Sequence, residues 1–524
     1  MNLKKSNLIS IDRRQALAQT ASFGMAAAAA QTPLAPAIAQ GKRRDLRVGI
    51  WGGDFGNLSP VIRWTVPAAL VMNHIFDGLV RVDYQSRTVV PWLAQEWANP
   101  DPLTWRLRLR EGVLWHGDYG EFTADDVVYT WQHHFDTSSF MVGSALFPID
   151  TAVADGKYVV EIKTKAPFGA LPGATLGYGG LILSRAAHLE MGDQQYSSSP
   201  IGHGPYILSG MRGNEVDLIR NKKYWRPGFP KIEHLNYRTI PDSGVRLQSL
   251  EAGEFDFISH PDTKDVARVR GNPKFTLSSV PGWNWDYQGF NITGADKNAP
   301  YLNKLVRQAI SYAIDRRAIV EEIYNGEAMP TDNQIPPGYI GHQKPLLKYP
   351  ERGDLNKARE LIAQAGISGY EVEIITSDKD WIRRELELVA AMVSQIGINY
   401  RIRNLDVGGY NNLWFSRNYE QLLEDITIVA PDPDSTSWWF LHSNGSSSAY
   451  SNPKMDANLD DARQESNELA RSVMYHDIAS MTVEECPMIM HCNVNYVRVF
   501  NSGLSGFTPG PQEYTEMLDE IYWK

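Results

Sequence analysis

Cysteine is nearly missing from this chain: Cys486 and Cys492 are the only two among 524 residues, so no disulfide framework carries the fold. The segment around them, Pro487-Met-Ile-Met-His-Cys-Asn-Val-Asn-Tyr-Val-Arg-Val-Phe500, reads as a strand. Six strand residues span roughly 20 Å, whereas a disulfide tolerates only about 7 Å between Cα atoms. Both thiols are therefore expected to be free and buried. Basic excess is missing too. Lys and Arg total 51 against 61 for Asp and Glu, a net charge of −10, the opposite of a chain built to hold nucleic acid. No run approaches the roughly 20 apolar residues of a membrane span. With 43% hydrophobic and 21% charged residues, a disordered or fibrous chain is excluded, and the length predicts two or three domains.

Catalytic and cofactor motifs are equally scarce. The 12 histidines are scattered, with His133-His134 the only adjacent pair. No His-Glu-x-x-His or zinc-spaced Cys/His set occurs. No P-loop and no Gly-x-Ser-x-Gly elbow is present. Gly177-Tyr-Gly-Gly180 and Gly202-His-Gly204 lack dinucleotide-binding spacing and read as turns or close backbone approaches. Ser451-Asn-Pro-Lys454 has the Ser-x-x-Lys spacing of a penicillin-binding nucleophile, but no Lys-Thr-Gly accompanies it and Pro453 disrupts the helix it needs. Acidic pairs such as Asp125-Asp126 read as caps or solvated faces. No metal and no cofactor is expected.

What is present begins with an address. Lys4, Lys5, Arg13 and Arg14 precede an alanine-rich stretch at 21–30, and Ala37-Ile-Ala39 closes it. This is the order of a secretory signal cleaved after Ala39, and Arg13-Arg14 resembles a twin-arginine export signal, with Ala16 where phenylalanine is usual. Cleavage leaves 47 basic and 60 acidic residues, a net charge of −13. No cysteine stands at the cleavage site to take a lipid anchor.

Short strands and amphipathic helices alternate irregularly afterwards. Strands are expected at 46–50, 105–110, 158–163 and 216–220. Thr123 with Asp126 three residues on is a helix start. Helical patterns cover 302–324, 355–365, 382–396 and 455–485, with Gly366 and Gly397 placed as C-caps. No linker marks a domain boundary. The 15 tryptophans and 42 glycines fall together in Trp51-Gly-Gly-Asp-Phe-Gly56, Pro281-Gly-Trp-Asn-Trp-Asp-Tyr287, Tyr410-Asn-Asn-Leu-Trp-Phe415 and Trp438-Trp-Phe440. Alternation puts Trp283, Trp285 and Tyr287 on one strand face. Such clusters suit either core packing or a cleft that stacks on a ligand.

Several segments, in order along 45–524, resemble the extracellular solute-binding proteins of ABC importers, the family 5 peptide, nickel and opine group. They are Ile75-Phe-Asp-Gly-Leu-Val80, Val90-Pro-Trp-Leu-Ala-Gln-Glu-Trp97, the run 105–116, Phe122-Thr-Ala-Asp-Asp-Val127 and Pro200-Ile-Gly-His-Gly-Pro-Tyr206, where His203 replaces the family's threonine. Asn221-Lys-Lys-Tyr-Trp225, Val306–Asp315, Gln334-Ile-Pro-Pro337 and Asp432-Pro-Asp434 continue the series. The resemblance implies an α/β fold of the periplasmic-binding-protein type II, cluster C: two lobes around a cleft plus an inserted domain. Lobe I would comprise 40–76, 205–285 and 484–524, the extra domain 77–204, and lobe II 286–483. It implies a monomeric, non-enzymatic protein of the periplasm that captures a small molecule by lobe closure and docks on an inner-membrane permease.

The ligand implied is a small peptide or amino-acid derivative, with an opine or an oligosaccharide as the alternative. Val429 stands where dipeptide binders of the family have an ammonium-binding aspartate, and Lys379 or Arg383 is the candidate for the carboxylate-binding arginine. Expected ligand-binding residues are Trp51, Phe55, Trp283, Trp285 and Asp286 from lobe I and its edge. Trp381, Tyr410, Trp414, Asp432 and Trp438 are expected from lobe II. Capping of the following helix is assigned to Asp434. The competing class is an exported hydrolase with a site assembled from distant residues.

Overall fold

A computed structural model describes residues 44–61, 65–139, 142, 146–177, 180–294, 296–427, 431–512 and 516–524. The expected signal at 1–39, Tyr178-Gly179 and Val429 lie outside the described residues. One sheet of 12 strands organises the rest. Its path runs Ile398–Leu405, Tyr370–Ser377, Gln421–Thr427, Asn284–Phe290, Met488–Asn501, Phe257–Ser259, Asp45–Ile50, His234–Thr239, Glu215–Arg220 and Tyr206–Arg212. Tyr370–Ser377 and Ile398–Leu405 are parallel neighbours joined by the helix Asp380–Ser394, a βαβ unit. Phe275–Pro281 and Ala328–Pro330 pair with Met488–Asn501 off this path. A separate antiparallel sheet holds Ala94–Asp101, Thr104–Leu109, Val159–Thr164 and Ile149–Ala154.

The 14-residue strand Met488–Asn501 is the spine. Up to Val494 it pairs with Asn284–Phe290 and Ala328–Pro330, and from Asn495 onward with Phe275–Pro281 and Phe257–Ser259. Asn284 bridges this change of partner. Its Nδ2 donates to the Val494 carbonyl (2.9 Å) and its Oδ1 accepts from the Val494 amide (2.8 Å). Two connections therefore cross side by side, one at 281–284 and one at 494–495.

Apolar packing divides along the same line. One buried cluster gathers Leu46, Val48, Tyr206, Leu235 and Phe257. Leu79, Trp105, Trp131 and Ile162 belong to a second, and Ile310, Ile374, Leu386, Ile489 and Cys492 to a third. A fourth, rich in aromatics, lies around Trp285 and Phe440. Gly202-His-Gly204 packs on the end of the helix Val66–Ile75. The Gly204 amide donates to the Ile75 carbonyl (2.8 Å), and a Cβ on Gly202 would sit 1.9 Å from that oxygen. Only glycine fits so close an approach.

The expected strands form, and Thr123 with Asp126 makes a capping box at Ala124–Asp136. Gly366 and Gly397 follow their helices at positive φ. Both cysteines are free and buried. Two long helical patterns are corrected. The stretch 302–324 contains Lys304–Ala313 and Arg316–Glu322, because Ile314 turns extended and Asp315 caps a new helix. The stretch 455–485 falls within Pro453–Gln464 and Glu468–Glu485, because Glu465 is extended and Asn467 restarts the helix. A side chain that accepts a bond from a free helical amide starts a helix wherever it stands, and apolar periodicity does not register it.

Candidate ligand-binding site

The strand Asn284–Phe290 is buried along its whole length, so its alternation separates two interiors. Trp285 and Tyr287 share one face, and Trp283 precedes them on the same side. The Trp283 indole donates to the Pro337 carbonyl (3.1 Å) and that of Trp285 to the Gln334 carbonyl (3.0 Å). Phe440 meets both Trp285 and Tyr287 edge-on. Tyr410, Trp414 and Trp438 join the same aromatic cluster, and Trp414 stacks over Phe440 at 6.1 Å. A small cavity of about 20 Å³, room for little more than a water molecule, is lined by Tyr287, Trp414, Tyr419, Phe440, Tyr450 and Met488 among others. Five of the ten expected residues thus belong to one aromatic cluster; Trp283, Trp285 and Tyr410 are enclosed in it, and Trp414 is the one of the five that lines the pocket.

The other five sit elsewhere. Phe55 is fully buried in the cluster of Leu46 and Val48, with no ring face left open. Trp51 is half-buried after its strand, and Trp381 packs against the cluster of Ile374 and Leu386. Asp286 faces away from the indoles. Its Oδ2 meets the Tyr324 hydroxyl and accepts from the Cys492 thiol; the same hydroxyl, with one proton to give, also lies 2.9 Å from Glu385, whose other oxygen is 2.6 Å from His491 Nδ1. Burial drives the Tyr324 hydroxyl and the Cys492 thiol well above their ordinary pKa ranges.

Asp432 caps the helix Pro433–Leu441 by accepting from the Asp434 amide (2.9 Å), and it meets Arg471 with both oxygens at 2.8 and 2.7 Å. Asp434 takes Arg463 instead, at 2.9 and 3.1 Å. Capping therefore belongs to Asp432, the reverse of the sequence assignment: Pro433 supplies the first helical residue, which puts the cap one position before it. Of the two carboxylate candidates, Lys379 pairs with Glu424 (2.7 Å) and Arg383 with Asp380 and Glu387.

Two groups escaped sequence reasoning. Arg463 lies over Trp438 (4.3 Å) and Phe147 (4.7 Å), while Phe147 stacks on Trp438 and the Arg463 carbonyl accepts from the Gly169 amide. This seats the segment 147–169 against the helices that carry Asp432 and Trp438. Asp77 is buried under two indoles and a phenol: Trp92 (2.8 Å) and Trp225 (2.7 Å) donate to it, as does Tyr224 (3.1 Å). Burial raises its carboxyl to about 6 against these three donors. Its position inside Ile75–Val80, together with the Trp-rich segments at 92 and 225, was the available signal.

The sequence profile of the "Bacterial extracellular solute-binding proteins, family 5 Middle" matches residues 88–448. A heme-binding protein A of Haemophilus influenzae is 25% identical over 480 residues, 84% of either chain. A dipeptide-binding protein of Pseudomonas aeruginosa is 26% identical over 470 residues, 83% of this chain and 87% of its own. Among solved structures, the periplasmic binding protein DppA of Helicobacter pylori, in complex with the peptide STSA, superposes with a TM-score of 0.77. It shares 22% identity and covers 92% of this chain and 98% of its own.

Proposed function

The chain belongs to the bacterial extracellular solute-binding proteins, family 5, and on that footing we propose that it captures a short peptide or amino-acid derivative for an ABC permease. Substrate binding is the work of the family. The chemistry is capture and release, with no bond broken. The observation that carries the reading is the pair of adjacent crossings at 281–284 and 494–495, beside an aromatic wall and its pocket. Two bodies joined by two short crossings rotate about them with little loss of packing, and ligand contacts made only in the closed arrangement drive that shift.

Proposed boundaries are 40–76, 205–285 and 484–524 for lobe I, 77–204 for the inserted domain and 286–483 for lobe II; the apolar clusters depart from them at Leu183, Ala187 and Tyr196, which pack with Leu46, and at Cys486, Ile489 and Cys492, which pack with Ile374. Because Met488–Val494 pairs with Asn284–Phe290 and Ala328–Pro330, the hinge is placed at Val494. Trp414 is the proposed ligand contact, and Trp283, Trp285, Tyr410 and Trp438 are the aromatic cluster it belongs to. The apolar wall offers few charged groups, which favours a ligand held by ring stacking, backbone and water. An opine or a sugar would stack on the same indoles. Export to the periplasm follows from the residues before 40, and the working form is a monomer.

Native mass spectrometry of the protein purified from its host tests this directly. The reading expects one co-purifying small molecule per chain, released on unfolding and identified as a peptide or amino-acid derivative. A chain free of ligand that hydrolyses peptides would overturn it in favour of an exported hydrolase.

A further inference from the structure

On the inserted segment, far in sequence from the aromatic wall, His133, His188 and Asp193 bring one ligand atom each to within 4.8 Å of one another. We propose that these three side chains bind a first-row transition-metal dication such as Zn²⁺. His133 projects from the last turn of Ala124–Asp136, and the other two come from Arg185–Ser198. In an unbroken helix, residues five apart lie roughly 140° apart around the axis and do not share a face. Gly192, with φ 72° and ψ 168°, breaks this helix and turns Asp193 back onto His188. That break explains why no ligand spacing is visible in the sequence.

The Nε2 atoms of both histidines lie 2.9 Å from the same Asp193 oxygen, Oδ1. A tetrahedral zinc with bonds of about 2.0–2.1 Å separates its donors by roughly 3.4 Å, so small side-chain rotations admit the ion. Two imidazoles and a carboxylate are the donor set of borderline cations, leaving further positions for water. His188 is buried, whereas the Asp193 side chain is 51% exposed and provides the way in. The Tyr129 hydroxyl lies 2.7 Å from His188 Nδ1. Its oxygen accepts a hydrogen bond from Nδ1–H when Nε2 turns to the metal, the outer-shell partner that fixes a ligating imidazole. His134, the neighbour in the sequence pair, instead bonds Ser139 at 2.6 Å and takes no part.

The rival arrangement is a metal-free His–Asp–His hydrogen-bonded triad, and titration of Zn²⁺ into the tag-free protein separates the two. The site predicts one bound ion per chain and a rise in Tm with Zn²⁺. His133→Gln, at a partly exposed position, should weaken binding at least tenfold and abolish the rise. Tyr129→Phe, which retains all three ligands, should weaken it about tenfold. Absence of stoichiometric binding, or binding and Tm response unchanged in His133→Gln and Asp193→Asn, would overturn the site in favour of the triad.

Discussion

Asp432 and Arg471 form a doubly hydrogen-bonded ion pair in which both side chains are almost wholly enclosed. Removing one partner of such a pair leaves an uncompensated buried charge, at a cost of about 3–5 kcal/mol. Asp432→Ala also removes the cap of Pro433–Leu441, so it should lower Tm steeply in a thermal melt. Trp414 differs, being half-buried and lining the pocket. Trp414→Ala should weaken ligand binding by about 1–3 kcal/mol in calorimetry while changing Tm far less than Asp432→Ala does. Equal Tm losses in both variants would make Trp414 a packing residue. That aromatic residues gather in a few segments was legible in the sequence, because indoles beside glycines are uncommon enough to notice. Which way each faces was not. Phe55 and Trp285 belong to equally aromatic segments, and only the tertiary fold buries one with Leu46 and the other beside Phe440, while Trp414 reaches the pocket.

Among the elements, local signals survived where one residue decides the outcome. The Thr123–Asp126 box started its helix as read, because a cap is a local bond. Long periodic stretches were misread where Asp315 and Asn467 restart a helix without disturbing the apolar pattern. The crossing of Met488–Asn501 between two sets of partners was illegible, since pairing depends on strands more than 200 residues away. Arg463 bridges elements in the same hidden manner, carrying Asp434 on one side and Phe147 and Trp438 on the others. Arg463→Ala should loosen the seat of 147–169 and speed ligand release several-fold in stopped-flow fluorescence, roughly the loss of one or two cation–π contacts of about 1 kcal/mol each. An unchanged release rate would confine Arg463 to local packing.

At the scale of the whole molecule, the buried histidines set the response to acid. Burial lowers His74, His116 and His134 from 6.5 to about 4, and holds His203 well below its ordinary value as well. A depressed pKa stabilises the fold fully above pH 6.5 and is lost as pH falls through the folded value, on the order of 3 kcal/mol for each such group. Asp77 works oppositely: raised to about 6, it contributes most below 3.8 and loses that contribution as pH rises through 6. The lowered histidines, His491 and His188 among them, outnumber the raised carboxyls of Asp77 and Asp126 and predict a Tm that drops between pH 6.5 and 4; a flat profile would refute this. The absence of linkers in the sequence fits residues 44–524 forming one compact unit. The central claim, capture of a short peptide or amino-acid derivative, is tested most directly by calorimetric titration of the ligand-stripped protein with dipeptides, tripeptides and amino-acid derivatives. Saturable one-to-one binding of at least one of them, weakened in Trp414→Ala, is the predicted result. No binding to any of them, with one-to-one binding of heme or a sugar instead, would contradict it.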